Sequence, residues 1–184
     1  MQPKLLFAGP VGAGKTTAIG AVSDIPVVST EERATDVIAA IKERTTVAMD
    51  YGVLHLDGRT DIHLYGAPGQ PRFRFMWEIL GHGSLGLVIL LDDTRPDPAG
   101  DLDYYVQAFR GLIDATGQVL VVGVTRLVPG AALDRYHQRL AALGLSAPVF
   151  EVDARRRDDV KCLLLALLSL LDDRVRRGAT ARAQ

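Results

Sequence analysis

Eight residues near the start of the chain, Gly9-Pro-Val-Gly-Ala-Gly14-Lys15-Thr16, constrain its fold more than any other stretch. They match G-x-x-x-x-G-K-S/T and lie between an apolar run, Lys4-Leu-Leu-Phe-Ala8, and a segment of helical pattern, Gly14–Ser23. A loop of that spacing between a strand and a helix is built to cradle phosphate. Its glycines let backbone N–H groups from Gly12 to Thr16 converge on phosphate oxygens at a helix N-terminus, where the helix dipole also favours negative charge. Lys15 adds a cation for the β and γ phosphates, and the Thr16 hydroxyl suits Mg²⁺, a hard ion that keeps several of its waters. Gly12, Ala13, Gly14, Lys15, Thr16 and Thr17 are therefore the expected phosphate-binding residues, with Thr16 also a metal ligand.

The rest of the chain supplies a setting for such a loop. Short β-rich segments alternate with helical ones: Leu5–Ala8, Gly14–Ser23, Val53–Leu56, Ile62–Tyr65, Phe73–Leu80, Leu87–Leu91, Leu102–Ala115, Val119–Val124, Ala131–Leu143, Val149–Val152 and Val160–Arg174. This alternation predicts an α/β fold with a mostly parallel central sheet and helices on both faces. The unbroken apolar runs Leu87–Leu91 and Val119–Val122 suit strands covered on both sides. Asp57-Gly58, between short alternating stretches, reads as a hairpin turn, so one strand pair is expected to be antiparallel.

At 184 residues and 48% hydrophobic content, the chain can bury one sizeable core, and no Pro- or Ser-rich linker divides it. A single domain over residues 1–173 and a short Arg- and Ala-rich tail over 174–184 are expected. The 21 basic and 22 acidic residues nearly cancel, which gives no push toward nucleic acid. The single cysteine, Cys162, excludes an intrachain disulfide, and no signal-type segment opens the sequence, so a cytoplasmic location is expected. The longest apolar run, Cys162–Leu171, is about half the roughly 20 residues of a spanning helix. Position 2 is Gln and the chain ends Ala-Arg-Ala-Gln, so no direct lipid anchor is expected.

A phosphate loop alone leaves several enzyme classes open, and the order of later motifs decides among them. Thr46-Val-Ala-Met-Asp50-Tyr51 precedes the hairpin, and Gly66-Ala-Pro-Gly69-Gln70-Pro-Arg72-Phe73-Arg74 follows it. Together with Asp153-Ala154-Arg155, these elements resemble a bacterial group of small Ras-like GTPases of the MglA type, and the resemblance runs from Lys4 to about Leu171. It implies a Ras-like G domain of the P-loop NTPase class, with GTP or GDP and Mg²⁺ as cofactors. In that template Thr46 ligates Mg²⁺ and contacts the γ-phosphate, the Gly69 amide binds the same phosphate, and Gln70 orients the attacking water. Thr125 and Arg126 occupy the place of the N-K-x-D base motif, with the arginine stem laid along the base. Asp153, Ala154 and Arg155 occupy that of S-A-K, whose alanine amide meets the base.

Several positions depart from the template. Gly66 replaces the aspartate of D-x-x-G, which removes the carboxylate that holds a metal-bound water. Asp50 and Asp92 could supply a carboxylate in its place, but both are expected to be solvated or to cap, and neither is assigned to the metal. Pro71 confines Gln70 to extended backbone, which predicts slow intrinsic hydrolysis and a partner that repositions the loop. Val128 stands where an aspartate would accept two guanine N–H groups, so guanine discrimination should weaken. Arg44 is a candidate for the arginine beside the γ-phosphate, one residue further back than in the relatives.

In the segment after Gln70, helical spacing assigns Phe73, Met76, Trp77 and Leu80 to the core and leaves Arg72, Phe75 and Ile79 as a docking patch. The resemblance implies a roadblock-type regulatory partner there. The resulting expectation is a GTP-binding switch with slow hydrolysis, in which Gln70, Lys15 and Arg44 are catalytic. The alternative is a degenerate nucleotide-binding scaffold with little hydrolysis or guanine selectivity.

Overall fold

The computed structural model describes residues 2–29, 49–57 and 60–182, so Arg44, Thr46 and the tip of the hairpin lie outside the described residues. In chain order the elements are β1 (Lys4–Ala8), α1 (Lys15–Val22), β2 (Val28–Ser29), β3 (Asp50–Asp57) and β4 (Thr60–Gly66). A 3₁₀ turn (Pro71–Phe73) leads into α2 (Arg74–Gly81), followed by β5 (Gly86–Asp92), α3 (Pro98–Ala108) and α4 (Arg110–Ala115). The chain ends with β6 (Leu120–Thr125), α5 (Asp134–Ala142), β7 (Val149–Glu151) and α6 (Arg157–Arg182).

The strands form one sheet in the order β2-β3-β4-β1-β5-β6-β7. β1, β4, β5, β6 and β7 run parallel, whereas β3 pairs antiparallel with β4, as the hairpin signal predicted, and short β2 extends that edge. All seven residues of β5 and all six of β6 are buried. Their side chains, with that of Val119 just before β6, divide between two cores. Leu87, Ile89, Leu91, Leu120, Val122 and Val124 face α2 to α5, and Val88, Leu90, Val119 and Val121 face α1 and α6. This two-sided cover is why these strands read as unbroken apolar runs rather than alternating ones.

Helix α6 buries Val160, Leu163, Leu164 and Leu167, leaves Leu171 half-buried and exposes Cys162 and Leu165. It runs on to Arg182, past Arg174 where the sequence pattern ended it. Arg174 reaches the Ala115 carbonyl at 2.9 Å, and an Asp172–Arg176 pair at 2.8 Å spans one turn, so polar contacts carry the helix beyond its apolar stripe. The expected continuous helix Leu102–Ala115 is instead two, broken at Phe109, whose buried ring stacks on Trp77 at 5.3 Å. Among the described residues no helix is long and apolar enough to cross a membrane.

Candidate functional site

The phosphate loop leaves the C-terminal end of β1, the central strand, and enters α1 at Gly14. Gly14 has φ +96°, a left-handed conformation suited to glycine, and a Cβ there would stand 3.0 Å from Ala154 Cβ. Lys15 is buried, and its Nζ donates to the carbonyls of Gly9 and Pro10 at 2.8 Å each, so its charge is held at the loop. Beside it the Thr16 hydroxyl donates to Asp50 Oδ2 at 2.5 Å.

That contact amends the expectation for Asp50, which is half-buried and engaged with the phosphate loop rather than freely solvated. Asp50 opens β3 directly opposite Gly66 at the end of β4, and this antiparallel register turns its carboxylate toward α1. Asp92 does cap its own turn, accepting from the Thr94 amide and hydroxyl at 3.1 and 2.7 Å, and it also pairs with Arg126. Burial works to raise the Asp92 pKa, but those donors outweigh it and hold the carboxyl below its usual value.

The segment 66–70 lies directly on the phosphate loop. A Cβ on Gly69 would fall 2.6 Å from the Val11 nitrogen and 2.8 Å from the Pro10 carbonyl carbon, so the two backbones meet as closely as glycine permits. Two buried aromatic side chains clamp this segment from behind. Trp77 Nε1 donates to the Pro68 carbonyl at 2.8 Å, and the Tyr105 hydroxyl donates to the Gly69 carbonyl at 3.0 Å. Gln70 is extended at φ −88° and ψ 131°, as a residue before proline should be. Phe73, Trp77 and Leu80 are buried and Arg72, Phe75 and Ile79 are exposed, as the helical spacing predicts, but Met76, expected in the core, is only half-buried.

Two adjoining cavities collect the remaining candidates. The smaller, about 150 Å³, is lined by Gly12, Lys15, Thr16, Gly69 and Gln70, with Asp50 among them. The larger, about 660 Å³, is lined by Gly12, Ala13, Gly14, Thr17, Thr125, Arg126, Asp153, Ala154 and Arg155. Every expected cofactor-binding residue that the structure describes thus lines one cavity or the other.

The walls of the larger cavity are cross-tied. Thr125 Oγ1 donates to the Leu91 and Ala13 carbonyls at 3.0 and 3.3 Å, and Arg126 Nη2 reaches the Gly12 carbonyl, so the β6 loop is bound to the phosphate loop. Asp153 accepts from the Arg155 amide and guanidinium, and Arg155 above all holds that carboxyl down at about 2. The exposed Val128 sends its amide to Asp93 Oδ2 at 2.9 Å. Asp93 is buried and also accepts from Tyr136 and Arg135. Burial pushes its pKa up, while Tyr136, the Val128 amide and Arg135 together bring it below the usual value.

Sequence reading named Asp50 without assigning it, and missed the Trp77 and Tyr105 clamps and Asp93 as an anchor of the β6 loop. Asp50 carried a faint signal, a carboxylate shortly before the hairpin whose other strand lacks one. The others carried none, because their partners lie 9, 36 and 35 positions away in sequence.

Residues 7–108 match a model of the family described as "Conserved hypothetical ATP binding protein". That stretch is more than half of the chain and holds the phosphate loop, Asp50 and Gly66 to Gln70, but it stops before Thr125 and Asp153. An uncharacterized protein of Methanocaldococcus jannaschii is 34% identical over 82 residues, which is 44% of this chain and 52% of that protein. The chain spans about half the length of that relative.

Proposed function

This chain belongs to that family of conserved ATP-binding proteins, and from that premise we propose a nucleoside-triphosphate switch with slow hydrolysis. The observation that carries the proposal is the small cavity, where Lys15, Thr16, Gly69 and Gln70 converge from the phosphate loop and from a segment packed against it. In this reading the loop amides and Lys15 hold the triphosphate, and its base occupies the larger cavity between Arg126 and Ala154.

Mg²⁺ fits this chemistry, since Thr16 brings a hard oxygen to the same cavity, and Thr46 would be its second protein ligand. Bound there, the ion would neutralise charge on the β and γ phosphates. Gln70 would orient the attacking water, although the extended backbone imposed by Pro71 keeps the reaction slow, and Arg44 would add transition-state charge. The Gly69 amide would sense the γ-phosphate. Because Gly69 already touches the loop backbone, loading and release of that phosphate must push on the segment carrying Arg72, Phe75 and Ile79. These exposed side chains are the surface we assign to a regulatory partner of roadblock type.

Both purines should be accepted. A guanine-selective pocket needs an acceptor for two N–H groups; Val128 has none, and the Asp153 carboxylate is already engaged by Arg155. ATP and GTP should therefore bind within about tenfold of each other, the affinity coming mainly from the phosphates. Calorimetric titration of nucleotide-stripped protein with ATP, GTP and GDP, with and without Mg²⁺, tests this. A preference for GTP of 100-fold or more would restore the guanine-switch reading. No binding to any of the three would leave a structural module, the role that Pro71 and Val128 favour.

A further inference from the structure

We infer that Asp50 on β3 supplies the metal-site carboxylate that Gly66 on β4 lacks, so the group has moved across one strand while keeping its place in space. This rests on the nucleotide-binding reading above and concerns only how the metal is held.

Register comes first. Asp50 and Gly66 are direct partners in the antiparallel pair, and such partners project from the same face of the sheet with their Cβ positions a few Å apart. Volume comes next. A Cβ built on Gly66 would stand 3.0 Å from both Asp50 Cβ and Asp50 Oδ2 and 3.1 Å from Ile19 Cδ1. The space that a side chain at position 66 would enter is thus taken by the carboxylate at position 50, and the glycine is the complement of that aspartate.

The carboxylate is also aimed at the right group. Asp50 Oδ2 lies 2.5 Å from Thr16 Oγ1, the hydroxyl that follows the loop lysine. Both line the small cavity with Lys15 and Gly69, and Asp50 is the one carboxylate among the described residues that does so. Mg²⁺ is held by one or two carboxylates together with phosphates and retained waters. A hydroxyl and a carboxylate this close can serve one ion, either directly or through one of its waters. Asp92, the other aspartate near a strand end, is engaged by Thr94 and Arg126 at the larger cavity.

The test compares the parent with Asp50→Asn, Asp50→Gly and the reciprocal swap Asp50→Gly/Gly66→Asp. Affinity for fluorescent ATP is measured in EDTA and in Mg²⁺, and Mn²⁺ affinity of the nucleotide-loaded protein is measured by electron paramagnetic resonance. Binding in EDTA should persist in every variant, and be no weaker than the parent's in the two single variants, where a carboxylate that repels the metal-free triphosphate is gone; this also reports that each variant is folded. The gain on adding Mg²⁺, and the Mn²⁺ affinity, should fall about 10- to 100-fold in both single variants. The swap should recover most of both, which a mere hydrogen-bonding partner of Thr16 would not allow. Should Asp50→Gly misfold, Asp50→Asn carries the loss. An unchanged metal gain in Asp50→Asn, or a swap as weak as the single variant, would overturn the assignment while leaving nucleotide binding intact. A parent that binds no ATP in either buffer would overturn the nucleotide reading, and this one with it.

Discussion

Replacing Gly69 by alanine should separate two pieces of backbone that the structure holds together. The added Cβ would meet the Val11 nitrogen at 2.6 Å, the Pro10 carbonyl carbon at 2.8 Å and the Gly9 oxygen at 3.0 Å. All three are main-chain atoms of the phosphate loop, so no side chain can swing aside. Accepting the overlap would cost about 1–3 kcal/mol, by analogy with overpacked cores. Withdrawing the segment instead would forfeit the Trp77–Pro68 and Tyr105–Gly69 hydrogen bonds, at about 1 kcal/mol each. By either route Gly69→Ala should lose about 2 kcal/mol. Urea unfolding followed by the single tryptophan, Trp77, reads both outcomes, because its indole N–H is one of the clamps. A lowered midpoint with an altered native emission spectrum indicates withdrawal; a lowered midpoint with the parent's spectrum indicates strain. Gly111→Ala is the control, since nothing lies within 4 Å of its added carbon, and there a helical alanine should stabilise by about 0.5–1 kcal/mol. If Gly69→Ala proved as stable as the parent, the close approach would not be a constraint and the coupling built on it would fail.

Other expectations follow from the same contacts. Pro71→Ala frees the backbone of Gln70 and should raise single-turnover hydrolysis severalfold; an unchanged rate would show that the proline is not what slows it. Lys15→Ala removes the cation at the loop and should weaken ATP binding about 100-fold by calorimetry, on the scale of about 3 kcal/mol for a charge-assisted contact. Asp93→Asn should cost about 2 kcal/mol in urea unfolding, because it weakens the acceptor shared by Tyr136, Arg135 and the Val128 amide. Since the folded pKa of Asp93 lies below its unfolded value, its stabilisation is complete above about pH 4 and is lost as pH falls through the lower, folded pKa. The parent should therefore lose more stability than Asp93→Asn on acidification through that window, as urea midpoints at a series of pH values would show.

The phosphate loop was legible in the sequence because its chemistry is local, eight consecutive residues between a strand and a helix. The walls of the larger cavity were legible by order, since Thr125 and Asp153 each follow a strand whose apolar run is unmistakable. Asp50 could be named from the sequence but not placed. Its role depends on which residue of β4 it faces, and a shift of one residue would have turned its side chain to the other face of the sheet. Arg126 was read as a platform for a base, and the structure adds its ties to Asp92 and Gly12, partners far away in sequence. The break at Phe109 and the length of α6 escaped for a related reason: each is fixed by contacts made in three dimensions rather than by the periodicity of the segment.

The central position of β1 sets a condition on how the chain can be shortened or made. The phosphate loop hangs from β1, which needs β4 on one side and β5 on the other. β5 in turn needs β6, which begins only at Leu120. A fragment limited to the family-matched residues would end at Ala108 with β5 as a bare edge, its seven residues apolar on both faces except at the ends. Such an edge is a template for intermolecular pairing. The family-matched stretch contains the whole phosphate loop, but it should aggregate when expressed alone, and during synthesis the loop should acquire its shape only after β6 has been made.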